Sequence, residues 1–142
     1  MTHAATGLLL AEDDPDDRFL IVRALHRVRP QLRVTAVADG VELLAHLRSC
    51  ALEQLPQLLL LDLNMPRMDG REVLAHLRAD PRLSGIPVVV LSTSVEPEDR
   101  ARVQAAHAAD FLSKPDEFSA MVILLRSLLS DKLGAETELP AC

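Results

Sequence analysis

Acids, a hydroxyl and an amine recur at the ends of short apolar segments in this chain. Glu12, Asp13 and Asp14 follow Leu8-Leu9-Leu10-Ala11, and Asp62 follows Leu58-Leu59-Leu60-Leu61. Ser92 follows Val88-Val89-Val90-Leu91, and Lys114 follows Asp110-Phe111-Leu112-Ser113. Three carboxylates, Glu12, Asp13 and Asp62, brought together in a partly dry cleft repel one another unless protons or a cation intervene. Carboxylates, a backbone carbonyl and water form the all-oxygen set that Mg²⁺ or Mn²⁺ accepts, with positions left for a phosphoryl oxygen. The Lys114 amine and the Ser92 hydroxyl suit the remaining phosphoryl oxygens, and phosphoryl transfer needs little beyond such positioning and charge stabilisation. One carboxylate must then be the nucleophile. Asp62 is the candidate, because it ends a central segment and lies between the other two acids and the Ser92 and Lys114 side.

Taken singly, these residues are ordinary. Asp14 before Pro15 reads as a helix cap, an Asp before Leu63-Asn64-Met65-Pro66 can begin a turn, and a lone lysine is usually solvated. Their combination carries the weight, since unrelated turn residues have no reason to fall at the ends of four strands of one sheet.

The apolar runs at residues 8–11, 58–61 and 88–91 do not alternate, as expected of central parallel strands covered on both faces. Arg33-Val34-Thr35-Ala36-Val37 alternates like an edge strand, and Asp110-Phe111-Leu112 reads as a short fifth strand at the other edge. Helical segments lie between. The first opens at Asp14-Pro15-Asp16-Asp17, with a capping carboxylate, proline at the first helical position and Ile21, Leu25 and Val28 on one face. Others are expected over residues 40 to about 49, 70 to about 80, 97 to about 106 and about 116 to 132, with Gly134 past the last. Strand and helix alternating in this way predict an α/β fold: a flavodoxin-like, doubly wound, five-stranded parallel sheet of order 2-1-3-4-5 with five helices. Winding then reverses between strands one and three, and ligands of such sheets bind outside the carboxyl ends at that reversal, where Asp13 and Asp62 fall.

A chain of 142 residues fits one domain with a core large enough to need no staples. Net charge is -6 with Lys and Arg scattered, so no basic stripe meets a nucleic acid. Cys50 and Cys142 have no metal-ligand spacing, and the start of the chain has neither a charged region nor a long apolar stretch, so a reducing cytoplasm is the expected setting.

Glu12-Asp13, the run Asp62-Leu63-Asn64-Met65-Pro66-Arg67-Met68-Asp69-Gly70, Ser92 after its apolar strand and Phe111-Leu112-Ser113-Lys114-Pro115 together resemble the receiver domain of two-component response regulators. The resemblance spans residues 7–133, leaving 134–142 as a tail with no output domain. It implies a domain that takes a phosphoryl group from a phosphohistidine of a sensor kinase, with Asp62 as phosphoacceptor. Glu12 and Asp13 would be the acidic pair, and the Asn64 carbonyl a further metal ligand. Ser92 and Lys114 would contact the phosphoryl group, Phe111 would be the aromatic that turns inward when Ser92 moves, and Lys114-Pro115 would be a cis peptide.

Departures from the family pattern are informative. Glu12 replaces a shorter Asp, Ser92 stands where Thr is usual, Thr93 is bulkier than its usual counterpart and could narrow access to Asp62, Phe111 lacks a phenol, and His107 occupies a turn position commonly held by Gly. With Asp13-Asp14-Pro15-Asp16-Asp17, Pro87-Val88-Val89-Val90-Leu91-Ser92-Thr93-Ser94 and the short tail, the chain is most similar to the receivers that partner phytochrome-type histidine kinases. The last helix is apolar nearly all round. Met121, Leu125, Leu128 and Leu129 make one stripe, while Val122, Ile123 and Leu124 face away from it and suggest a homodimer through the fourth helix, fifth strand and fifth helix. The expected output is a switch in protein–protein contacts, with no turnover activity beyond the domain's own phosphorylation and dephosphorylation. A small metal-dependent phosphatase and a degenerate, binding-only receiver are the alternatives.

Overall fold

The computed structural model describes residues 7–93, 96–105 and 110–134. The remaining residues, among them His107, Ser94, Cys142 and the expected tail from 135, lie outside the described set. In chain order the elements are β1 (Gly7–Ala11), α1 (Pro15–Val28), β2 (Arg33–Val37), α2 (Gly40–Ser49), a 3-10 turn (Leu52–Gln54), β3 (Leu58–Leu61), α3 (Gly70–Ala79), β4 (Val88–Ser92), α4 (Pro97–Ala105), β5 (Asp110–Ser113) and α5 (Phe118–Leu133). All strand pairings are parallel, in the order β2-β1-β3-β4-β5. Both the alternation and the strand order agree with the sequence reading. Helix α5 starts two residues later than expected, and the 3-10 turn gave no signal.

Side chains of a strand alternate between faces, so each unbroken apolar run feeds two cores. Leu9, Ala11, Leu59, Leu61, Val88 and Val90 meet Leu43, Leu47, Val73, Leu77 and Val103 of α2, α3 and α4. Leu8, Leu10, Leu58, Leu60, Val89 and Leu91 meet Ile21, Leu25, Met121, Leu125 and Leu129 of α1 and α5. The three central strands are therefore sealed on both sides, while β2 at the edge buries only Val37 fully.

Helix starts are fixed by the chain's own caps. Asp14 accepts from the Asp16 and Asp17 amides, with Pro15 opening α1. Asp39 caps α2 through the Glu42 amide, and Asp69 with Glu72 forms a capping box on α3. Gly134, at φ 79°, takes the left-handed region that ends α5, a conformation glycine adopts at little cost.

Helix α5 corrects one expectation. Val122 and Leu124 are half-buried against the α1 side of their own core, and only Ile123 stands out, 70% exposed. The helix is apolar nearly all round because it packs on both the sheet and α1, which removes two of the three residues assigned to a free face.

Candidate functional site

The chemically active residues sit just past the strand ends, and ladder hydrogen bonds hold them there. The Glu12 amide donates to Val37 O (3.0 Å), the Asp62 amide to Ala11 O (3.1 Å) and the Lys114 amide to Ser92 O (2.9 Å). Each residue thus leaves its strand at a fixed height above the crevice where the winding reverses. Glu12, Asp62 and Ser92 are the buried polar residues of the described chain, at 1%, 6% and 0% exposure.

Carboxylate oxygens of Glu12, Asp13 and Asp62 lie within 4.8 Å of one another. Burial raises the Glu12 carboxyl from its ordinary 4.5 to about 7, and the Asp62 charge adds to the rise while the Lys114 hydrogen bond opposes it. Asp62 is likewise raised, first by burial and further by Asp13, against lowering contributions from Lys114, the Asn64 amide and the Ser92 hydroxyl bond. The Asn64 N–H reaches Asp62 Oδ1 at 3.4 Å. Desolvated acids gathered in this way favour a hard divalent cation, and their all-oxygen donor set fits Mg²⁺ or Mn²⁺.

Lys114, at the end of β5, joins the same group of acids. Its Nζ donates to Glu12 Oε1 at 2.6 Å and to Asp17 Oδ2 at 3.1 Å, with the lysine side chain 6% exposed. Burial alone would lower its pKa, but the bond to Glu12, the charges of Asp62 and Glu12 and the bond to Asp17 together raise it. The amine is a fixed ammonium beside the acids. The Lys114–Pro115 peptide, expected cis, is trans; X–Pro bonds favour trans by about 0.5–1 kcal/mol, and the amine reaches Glu12 in that isomer.

Phe111, expected to turn inward as the switch aromatic, lies inside the α4-side core at 7% exposure, with the Arg100 guanidinium 4.9 Å from its ring centroid. A ring without a hydroxyl has no polar atom to keep in water. Thr93 is exposed at the end of β4.

Three supports escaped the sequence reading. Arg18 Nη1 donates to the carbonyl of Glu12 (2.9 Å) and lies 3.5 Å from that of Asp13, bracing the acidic pair from α1. Asp17, readable only as a first-turn acid, reaches a lysine 97 residues away. The third support is the loop after Asp62. Arg67 has φ 65°, and the Met68 amide bonds Pro66 O at 2.6 Å, a γ-turn that an L-residue adopts under strain. Arg67 holds both oxygens of Asp39, Nε to Oδ2 at 3.0 Å and Nη2 to Oδ1 at 3.3 Å, tying this loop to the start of α2. Gly70 closes the loop, its amide on Leu63 O at 2.9 Å, and a Cβ there would come within 2.6 Å of the Asp62 carbonyl oxygen.

A doubly wound parallel sheet with buried acids at its switch point and a paired lysine at the end of β5 defines a receiver-type phosphosignalling fold. The family model of the response regulator receiver domain matches residues 8–126, and the chain belongs to that family. It is similar to the probable methanogenesis regulatory protein FilR2 of Methanothrix harundinacea, 39% identical over 113 residues that cover 78% of this chain and 73% of FilR2. It is also similar to the response regulator Rcp1 of Synechocystis, 34% identical over 137 residues, covering 94% of this chain and 92% of Rcp1. The Mn²⁺-bound structure of Rcp1 superposes with a TM-score of 0.80 at 32% identity, covering 96% and 99% of the two chains. The phosphorylated cyanobacterial phytochrome response regulator RcpA superposes with a TM-score of 0.84 at 37% identity, covering 94% and 98%. The chain is a homologue of phytochrome-associated response regulators. Among the described residues, no helix is long and apolar enough to cross a membrane.

Proposed function

We propose that this receiver accepts a phosphoryl group on Asp62 from the phosphohistidine of a sensor kinase and thereby changes its protein contacts. The observation that carries this reading is the convergence of Asp62 with Glu12 and Asp13 within 4.8 Å at the end of a central strand. An Asp62 oxygen attacks phosphorus, the new O–P bond forms as the P–N bond to the kinase imidazole breaks, and the electron pair leaves on that nitrogen. Glu12, Asp13, Asp62 and the Asn64 carbonyl would hold Mg²⁺ or Mn²⁺, which when bound neutralises charge on the transferring group. Ser92, which bonds Asp62, and Lys114 supply donors to the phosphoryl oxygens. Phe111 and Ser92 would relay occupancy to α4 and β5.

Similarity to the phytochrome response regulator RcpA favours a phytochrome-type kinase as donor. The surface of α4, β5 and α5 is the proposed homodimer contact, to which exposed Ile123 of α5 would contribute. Neither the phosphatase nor the binding-only reading has a comparable observation behind it. Radiolabelled ATP supplied with a phytochrome-type kinase tests the reading: the label should pass to wild-type protein and not to Asp62→Asn, and equal labelling of the two would refute it.

A further inference from the structure

Lys114 is held by two acids of unequal standing. Glu12 is buried and belongs to the acidic cluster, whereas the Asp17 side chain is 36% exposed, sits in the first turn of α1 and lies outside that cluster. The ammonium has three N–H donors and gives one hydrogen bond to each of two carboxylates, Glu12 just past β1 and Asp17 in α1. A phosphoryl group on Asp62, whose charge the amine already feels, competes with both acids for the same N–H donors. Glu12 can share its charge with a cation, but Asp17 has no such second partner among the described contacts. We propose that Asp17 is a positioning residue that restrains the Lys114 amine on the α1 side of the crevice and opposes its transfer to a phosphoryl group on Asp62. The proposal rests on the Asp62 reading. In consequence, Asp17 disfavours the phosphorylated state relative to the unphosphorylated one.

Removing any acid beside the site also favours anions by charge alone, so the test needs a matched control. Asp16 supplies it, being exposed in the same turn with the same charge. Affinity for beryllofluoride, a phosphoryl mimic, is measured by calorimetry with Mg²⁺ on wild type, Asp16→Asn, Asp17→Asn and Asp17→Glu. Exchange of the Lys114 ammonium protons with water is followed by NMR on the metal-free proteins. Asp17→Asn should bind the mimic about fivefold more tightly than Asp16→Asn, the scale of a partly exposed ion pair, and should exchange its ammonium protons faster. Asp17→Glu should restore both readouts toward wild type. Equal affinities for the two Asn variants, weaker binding by Asp17→Asn, or unchanged ammonium exchange would each overturn the proposal. Wild-type protein that binds no beryllofluoride would instead sink the Asp62 reading, and the proposal with it.

Discussion

Lys114 Nζ and Glu12 Oε1 meet at 2.6 Å with both side chains almost wholly buried. Even so, burial and the Asp62 charge hold the Glu12 carboxyl up at about 7, so without metal the folded protein keeps a proton that the unfolded chain has lost. Between the ordinary 4.5 and about 7 the native state binds more protons than the unfolded one, and stability must fall as pH rises through that window. Asp62 is shifted the same way and adds to the slope. Lys114, raised above 10.5, contributes stability that is lost only at higher pH, as the solution passes its folded pKa. Mg²⁺ needs deprotonated carboxylates, so its stabilisation should grow with pH over the same window, reaching about 2.7 kcal/mol at a hundred times its dissociation constant. Thermal melts with and without Mg²⁺ at about pH 5 and about pH 8 check this; an equal gain at both would contradict the shifted acids.

Gly70→Ala places a methyl against the Asp62 carbonyl and the Leu63 backbone. Backbone atoms yield less readily than side-chain ends, so a cost of about 1–3 kcal/mol in urea unfolding is expected. The loop bearing Asn64 should move with it, lowering the phosphorylation rate as well. Stability and rate both at wild-type level would show that the loop has slack.

The Arg67–Asp39 pair is largely exposed on the arginine side, so its Coulombic share is small. Asp39 matters more as the α2 cap, and the Glu42 amide is the main reason its carboxyl lies below the ordinary range, with Arg67 second. Asp39→Ala should therefore cost about 1 kcal/mol, and Arg67→Ala clearly less. The reverse order in denaturant titrations would make the ion pair the dominant contact.

Ile123→Glu should give a monomer that still accepts phosphate, because Ile123 is exposed on α5 and the acidic cluster lies at the strand ends. Sedimentation of wild type and variant at matched concentration decides it. A wild-type monomer with and without phosphorylation would remove the dimer.

Strand order and the acidic cluster were legible because both follow from local pattern: unbroken Leu and Val runs mark doubly covered strands, and the residues after them mark the crevice. What lay hidden depends on reach across the fold. Asp17 and Lys114 meet through a helix and a strand whose relative placement the sequence does not state, and nothing local marks Arg18 as a brace for Glu12 and Asp13. Val122 and Leu124 were read as free because periodicity cannot show that α1 covers a second side of α5. The trans Lys114–Pro115 bond departs from an expectation taken from resemblance, which no local pattern of residues supported.

The central claim is that Asp62 accepts the phosphoryl group, and intact-mass spectrometry after incubation with acetyl phosphate and Mg²⁺ tests it without any partner. Wild type should gain the mass of one phosphoryl group, mapped to Asp62 after borohydride reduction, while Asp62→Asn gains none and metal-free wild type gains little. The same mass on Asp62→Asn, or a wild-type label mapped to another residue, would contradict the account.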